Sequence, residues 1–319
     1  MAQMALTQQI RSNFMLSLCR DPYPSRAISE HLLARRHEPV VWSEASARPE
    51  WLSAEDEAKF AEQGFLVLPN VLTADEVAEL TIAMTQLRDE VTANDSPLVL
   101  REQESDDILS FLDLPSASPL FDRLVRHPKL LEFARYILAS EVYLHQSRLN
   151  YRAANAQEEF YWHSDFETWH TEDGMPAMRA LSCSVLLTDN LAEHAPKLLI
   201  PGSHKTYVGC VDPATCPVTD DEAAHESHTM GQPSPEILSL LTHQAGEVTS
   251  ATGYAGSVVF FDCNIQHCSA DVTSEHPRAN AFLVYNSVEN MLGTPANGLE
   301  PRPEYLAHRE QTDPLQDAD

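Results

Sequence analysis

Apolar and polar residues follow two different rhythms along this chain. In the first, Val77, Leu80, Met84, Leu87 and Val91 share one face of a helix opened by Thr73-Ala74-Asp75-Glu76, whose threonine and early acids suit a helix start. Before it, Ser53-Ala54-Glu55-Asp56 opens a shorter helix that stops at Gly64, and Phe65-Leu66-Val67-Leu68 reads as a strand closed by Pro69-Asn70. This helix, strand, helix opening is expected to pack as a cover. Residues 128–138 are again helical. From Val142 onward the second rhythm takes over, with short apolar or alternating runs at 142–151, 180–187, 197–200, 256–261 and 279–285, divided by turns. Short strands without regularly interposed helices predict a mainly β fold with flanking helices, an antiparallel double sheet or barrel.

The remaining stretches set the domain limits. Residues 1–52 form an N-terminal arm with a short helix over 5–18, the loop Asp21-Pro22-Tyr23-Pro24 and a second helix over 27–36. Residues 53–300 form the main domain. Residues 94–118 are irregular, with Leu109, Phe111, Leu112 and Leu114 buried. Residues 212–238, rich in proline and aspartate, read as a long mobile insertion. Residues 301–319 are a polar C-terminal tail expected to fray. No internal repeat, GxGxxG or Walker loop is present.

Composition narrows the function. At 319 residues and 43% hydrophobic the chain can bury a large core. It has no run of about 18 apolar residues, and Gln8, Gln9, Arg11 and Asn13 interrupt the N-terminus, so a cytoplasmic location is expected, without a membrane partner. Six cysteines without a CxxC pair point to reduced thiols. The net charge of −27 repels nucleic acid; it suits either a salty cytoplasm or an ordinary acidic surface.

Candidate chemistry centres on Phe160-Tyr161-Trp162-His163-Ser164-Asp165-Phe166-Glu167-Thr168-Trp169-His170. On a strand, His163 and Asp165 would share one side of the backbone. His267, where an apolar strand runs into a polar bend, offers a third ligand. Two imidazoles and a carboxylate on one face leave the opposite metal positions open, as non-haem Fe(II) oxygenases require. Arg278 offers a planar fork for the far carboxylate of a dicarboxylic 2-oxo acid; the alternative is a surface ion pair.

Trp162-His163-Ser164-Asp165-Phe166-Glu167-Thr168-Trp169-His170 with Glu172-Asp173-Gly174-Met175-Pro176 resembles the signature of the ectoine hydroxylases, within the phytanoyl-CoA dioxygenase-like group of Fe(II)/2-oxoglutarate enzymes. Gln146-Ser147-Arg148-Leu149-Asn150, Ile200-Pro201-Gly202-Ser203-His204-Lys205, Phe261-Asp262-Cys263-Asn264 and Asn280-Ala281-Phe282 carry the resemblance from about Asp21 to Asn290. It implies a double-stranded β-helix of jelly-roll or cupin type, and hydroxylation of ectoine to 5-hydroxyectoine with O2, succinate and CO2 being released, an osmoprotective reaction. It implies iron on His163, Asp165 and His267. It puts 2-oxoglutarate on Arg278, Asn150, Phe160 and Ser182, and ectoine among Gln146, Trp169, Ala180, Phe261 and Phe282. A homodimer is implied as well.

Trp169, Phe261 and Phe282 would form an aromatic box for the cationic amidine ring. The chain departs from the family pattern at His194-Ala195-Pro196, where an Asn-Gly-Pro turn is usual, and at Cys268, where glycine is usual. A thiol beside an oxidising centre is exposed to oxidation. Hydroxylation of another small zwitterion such as proline, a catalytically inactive metabolite-binding relative, and a zinc hydrolase are the competing readings; for the last, no HExxH motif is present.

Overall fold

The computed structural model describes residues 21–91, 96–101, 107–152, 161–211, 231–269, 277–295, 298 and 300–318, without the side chains of Val91 and Arg152. The expected helix over 5–18, Phe160, residues 212–230 of the expected insertion, Cys19 and Cys216 lie outside the described residues.

The strands in chain order are β1 (Leu32–Arg35), β2 (Phe65–Leu68), β3 (Val99–Arg101), β4 (Ile108–Leu112), β5 (Val142–Arg152) and β6 (Ala180–Leu186). They continue as β7 (Lys197–Leu199), β8 (Thr206–Gly209), β9 (Thr249–Ala251), β10 (Val258–Asp262), β11 (His267–Ser269) and β12 (Arg278–Ser287). A large antiparallel sheet runs β2-β10-β6-β12-β5-β4-β3 and a small one β11-β7-β9, while β1 pairs with β8. Strand alternation separates the two faces of the large sheet. Leu181, Cys183, Val185, Val258, Phe260, Ala279, Ala281 and Leu283 pack outward with the helices Ala54–Gln63, Pro119–Val125 and Pro128–Leu138. Phe133 meets Phe260 with ring centroids 4.2 Å apart, and each such fully buried ring stabilises the fold by about 2–3 kcal/mol. On the inner face, Phe65, Leu186, Val259 and Phe261 meet Leu199 and Ala251 of the small sheet, closing a double-stranded β-helix, or jelly roll.

Local signals explain the helix ends. Ser53 Oγ accepts from Asp56 N (3.0 Å), and Gly64 ends that helix at φ 84°. The Thr73 and Glu76 side chains exchange capping bonds with each other's backbone N–H, at 3.3 and 2.7 Å.

Four expectations need correction. Residues 27–36 are not helical: Leu32–Arg35 forms β1, because the edge of β8 supplies backbone partners that outweigh the helix-forming Leu-Leu-Ala-Arg sequence. The strand of the opening segment is no cover; β2 joins the large sheet against β10. Within the expected insertion, Ser234 caps a helix at Pro235–Ala245, where proline occupies a first-turn position that needs no N–H. Residues 301–318 do not fray, since Arg302 pairs with Asp173 (2.5 Å), Leu315 N donates to Val142 O (2.9 Å) and Ala307 is fully buried. Among the described residues, no helix is long and apolar enough to cross a membrane.

His204 joins three elements. Its Nε2 lies 3.2 Å from Ala61 O, its ring fills the space beside Gly64, and Asn264 Nδ2 donates to its carbonyl (3.0 Å). Burial, with only partial compensation from Asp262, lowers its pKa from 6.5 to about 4. Below pH 6.5 the unfolded chain binds a proton that the native state refuses, so stability is full above that pH and is lost as pH falls toward 4. The slope is about 1.4 kcal/mol per pH unit, or about 3 kcal/mol in all. Urea unfolding between pH 7 and pH 4 checks this: His204→Gln is expected to flatten the slope over this window, and an unchanged slope counts against it.

Candidate active site

The centre is built by a backbone pairing. His163 N donates to His267 O (3.1 Å) and His267 N donates to His163 O (2.9 Å), so two distant segments come together as an isolated antiparallel bridge beside β11. The His-x-Asp does not continue as a strand. Ser164 instead caps a helix at Asp165–Thr168, its hydroxyl accepting from Glu167 N (3.3 Å), and a π-helical turn at Trp169–Asp173 follows. The cap turns the chain so that Asp165 faces both imidazoles, with Oδ1 3.7 Å from His163 Nε2 and 3.7 Å from His267 Nε2. All three ligand atoms lie within 4.8 Å of one another.

Each histidine is oriented by its own backbone. His163 Nδ1 sits 2.8 Å from Tyr161 O and His267 Nδ1 sits 3.1 Å from Ile265 O. Donation from Nδ1–H to these carbonyls leaves both Nε2 lone pairs aimed at the centre. Burial, then the Lys197 ammonium and His163, hold the His267 pKa well below its usual value, favouring the neutral ligand form. Burial raises the Asp165 carboxyl, but His267, His163 and Lys197 outweigh it and hold the group well below the usual carboxylate range. Ser182 Oγ also donates to Asp165 Oδ2 (2.9 Å). Two imidazoles and a carboxylate facing one open side fit Fe(II).

That side opens into a cavity of about 430 Å³, a volume suited to small molecules. Its wall follows the inner face of β12: Arg278 pairs with Arg152, Asn280 with Asn150, Phe282 with Arg148 and Val284 with Gln146. Arg278 and Gln146 are therefore separated by about six residues of strand, roughly 20 Å. Of the residues expected at the site, His163, Asp165, His267, Arg278, Asn150, Gln146, Trp169 and Phe282 line the cavity.

Ser182, Ala180 and Phe261 stand behind this wall. Ser182 is fully buried beside Asp165, while Ala180 packs in a cluster with Trp169, Met178 and Phe166. Phe261 is fully buried, with Lys197 Nζ 4.7 Å from its ring centroid, so a lysine already occupies a face intended for the substrate's cation.

Lys197, Arg148, Glu172 and Arg302 also line the cavity and were not singled out from sequence. Arg148 could have been found, because it lies between Gln146 and Asn150 at strand period two. Glu172 belongs to the motif already quoted. Arg302 had no local signal; its pairing with Asp173 is made only in the fold.

Both departures from the family pattern take definite form. Ala195 adopts φ 52°, a left-handed conformation that costs a non-glycine residue about 1–2 kcal/mol, and its carbonyl accepts from Arg278 Nη1. Cys268 is buried, and burial raises its thiol to about 11 despite nearby Lys197, so it stays protonated at neutral pH.

Ser182 generates a test. Ser182→Ala leaves all three ligands in place but frees the Asp165 carboxylate, and anaerobic Fe(II) calorimetry is expected to give about 10–100-fold weaker binding. His163→Ala is expected to abolish binding at this site. Unchanged affinity in Ser182→Ala removes its role as the support for Asp165.

Comparison with known proteins agrees with this geometry. A family model described as Phytanoyl-CoA dioxygenase (PhyH) matches residues 60–280. The ectoine dioxygenase of Bordetella bronchiseptica is 44% identical over 301 residues, covering 93% of this chain and 95% of the relative. That of Sphingopyxis alaskensis is 43% identical over 293 residues, covering 91% and 94%. Crystal structures of EctD from S. alaskensis, one with bound Fe and one with 2-oxoglutarate and 5-hydroxyectoine, each superpose with a TM-score of 0.82 at 42% identity, covering 93% of this chain and 98% of that one. The chain therefore belongs to the phytanoyl-CoA dioxygenase (PhyH) family and, within it, to the ectoine dioxygenases.

Proposed function

We propose that this protein is an Fe(II)- and 2-oxoglutarate-dependent dioxygenase that hydroxylates ectoine to 5-hydroxyectoine. The observation that carries the reading is the buried His163, Asp165 and His267 cluster opening onto a cavity with Arg278 along its wall. When bound, iron with 2-oxoglutarate and O2 supplies the oxidative decarboxylation and C–H hydroxylation, releasing succinate and CO2. The chain's residues bind, orient and exclude.

His163, Asp165 and His267 hold the metal, with Ser182 fixing Asp165. Arg278 is anchored through Nη1 on Ala195 O and turns the rest of its fork toward the distal carboxylate of 2-oxoglutarate. Asn150 Oδ1 accepts from Ser110 Oγ (2.6 Å), which leaves its NH2 to donate toward the same ligand; Phe160, outside the described residues, is assigned to that ligand by the family resemblance alone. At the other end, Gln146, with its amide oriented so that the oxygen accepts from Arg148 Nε (2.5 Å), leaves its NH2 for the substrate. Trp169 and Phe282 offer ring faces to ectoine's cationic ring, and Arg148 and Arg302 offer guanidiniums to its carboxylate. Fixing the ring between these groups presents one C–H to the centre.

The four described cysteines are buried free thiols, which supports a cytoplasmic location. The assembly is a homodimer; light scattering is expected to give twice the mass of the 319-residue chain, and a monomer mass counts against it.

Protein loaded anaerobically with Fe(II) and 2-oxoglutarate, then given air and ectoine, is expected to form succinate and hydroxyectoine in equal amounts. Both products vanish in His163→Ala. Trp169→Leu is expected to raise the KM for ectoine about tenfold. Succinate without hydroxyectoine redirects the reading to another zwitterion, with proline tested first, and absence of both products from iron-loaded protein overturns it.

A further inference from the structure

The turn that departs from the family pattern is linked to two cations that line the cavity. Ala195 holds Arg278 through its carbonyl, and two residues later Lys197 opens β7. Lys197 pairs in register with Ser269, just as Leu199 pairs with His267. Strand alternation therefore sends Lys197 and Ser269 to the same side as the His267 ligand, and both line the cavity with Arg278. The ammonium lies 4.7 Å from the Phe261 ring centroid and 5.9 Å from that of Phe282, a position that holds the long side chain over aromatic faces.

We propose that Lys197 is a second cation for the co-substrate, its ammonium joining Arg278 on the carboxylate remote from the metal. This rests on the cavity assignment made above and adds a residue to it. A guanidinium fork fixes the carboxylate plane, and an ammonium on a flexible stem reaches an oxygen lone pair the fork leaves open. The same charge repels a cationic ring from the Phe261 end and so directs the substrate toward Trp169 and Glu172. Selection for a dicarboxylate and orientation of the zwitterion then follow from one side chain.

Calorimetry on anaerobic Fe(II)-loaded protein tests this with two ligands, 2-oxoglutarate and 2-oxopentanoate, which is the same chain without the second carboxylate. Lys197→Met is expected to weaken 2-oxoglutarate about tenfold, leave 2-oxopentanoate unchanged, and be rescued in part by Lys197→Arg. Arg278→Met, which leaves Lys197 in place, is expected to retain a preference for 2-oxoglutarate; this arm holds even if Lys197→Met fails to fold. Equal weakening of both ligands by Lys197→Met shows that the lysine acts through the metal site and overturns the proposal. So does unchanged affinity for 2-oxoglutarate, or no residual preference in Arg278→Met. Failure of the unaltered protein to bind 2-oxoglutarate overturns the cavity assignment itself and this proposal with it.

Discussion

Two backbone hydrogen bonds between His163 and His267 hold the rest of the site together. They bring the segment that follows β5 against the edge of the small sheet, and both imidazoles then inherit their direction from carbonyls two residues back. The Ser164 cap adds Asp165 to the same point. Ligand geometry is thus set by main-chain pairing and a helix start, which leaves little freedom for the side chains.

Around this pairing, charge is handled in buried groups. Arg26 from the N-terminal arm meets Glu167 (2.6 Å) and Glu172, while Arg302 from the C-terminal segment meets Asp173 (2.5 Å). The helical turns carrying Trp169 are thus held from both ends of the chain. Buried pairs of this kind add little net stability, but removing one partner leaves an uncompensated charge costing about 3–5 kcal/mol, so the arrangement enforces one position for these turns. Burial raises the Asp173 carboxyl, but Arg302 and then His145 outweigh it and hold it down to about 2.

The main elements were legible in the sequence wherever a short-range rule governs them. Thr73 and Glu76 announce a capping box and form one. The alternation in β12 separates Ala279, Ala281 and Leu283 from Asn280 and Phe282, with the first set under helices and the second on the cavity. Residues 27–36 misled because leucine, alanine and arginine favour a helix only until a sheet edge offers better backbone partners. The polar tail misled for a similar reason: Arg302 reads as solvent-facing until Asp173 is known to lie buried beside it.

The sequence by itself determined the ligand types, the strand and helix rhythms and an antiparallel double sheet or barrel, because capping, periodicity and donor chemistry act over a few residues; the jelly-roll class came with the family resemblance. Only the tertiary structure decided that Ser182 supports Asp165, that Phe261 faces a lysine, and that Ala195 holds Arg278 from a left-handed conformation. Each of these depends on which strands pair and in what register. A one-residue slip would send Lys197 to the opposite face, and nothing local to residues 194–199 fixes that choice.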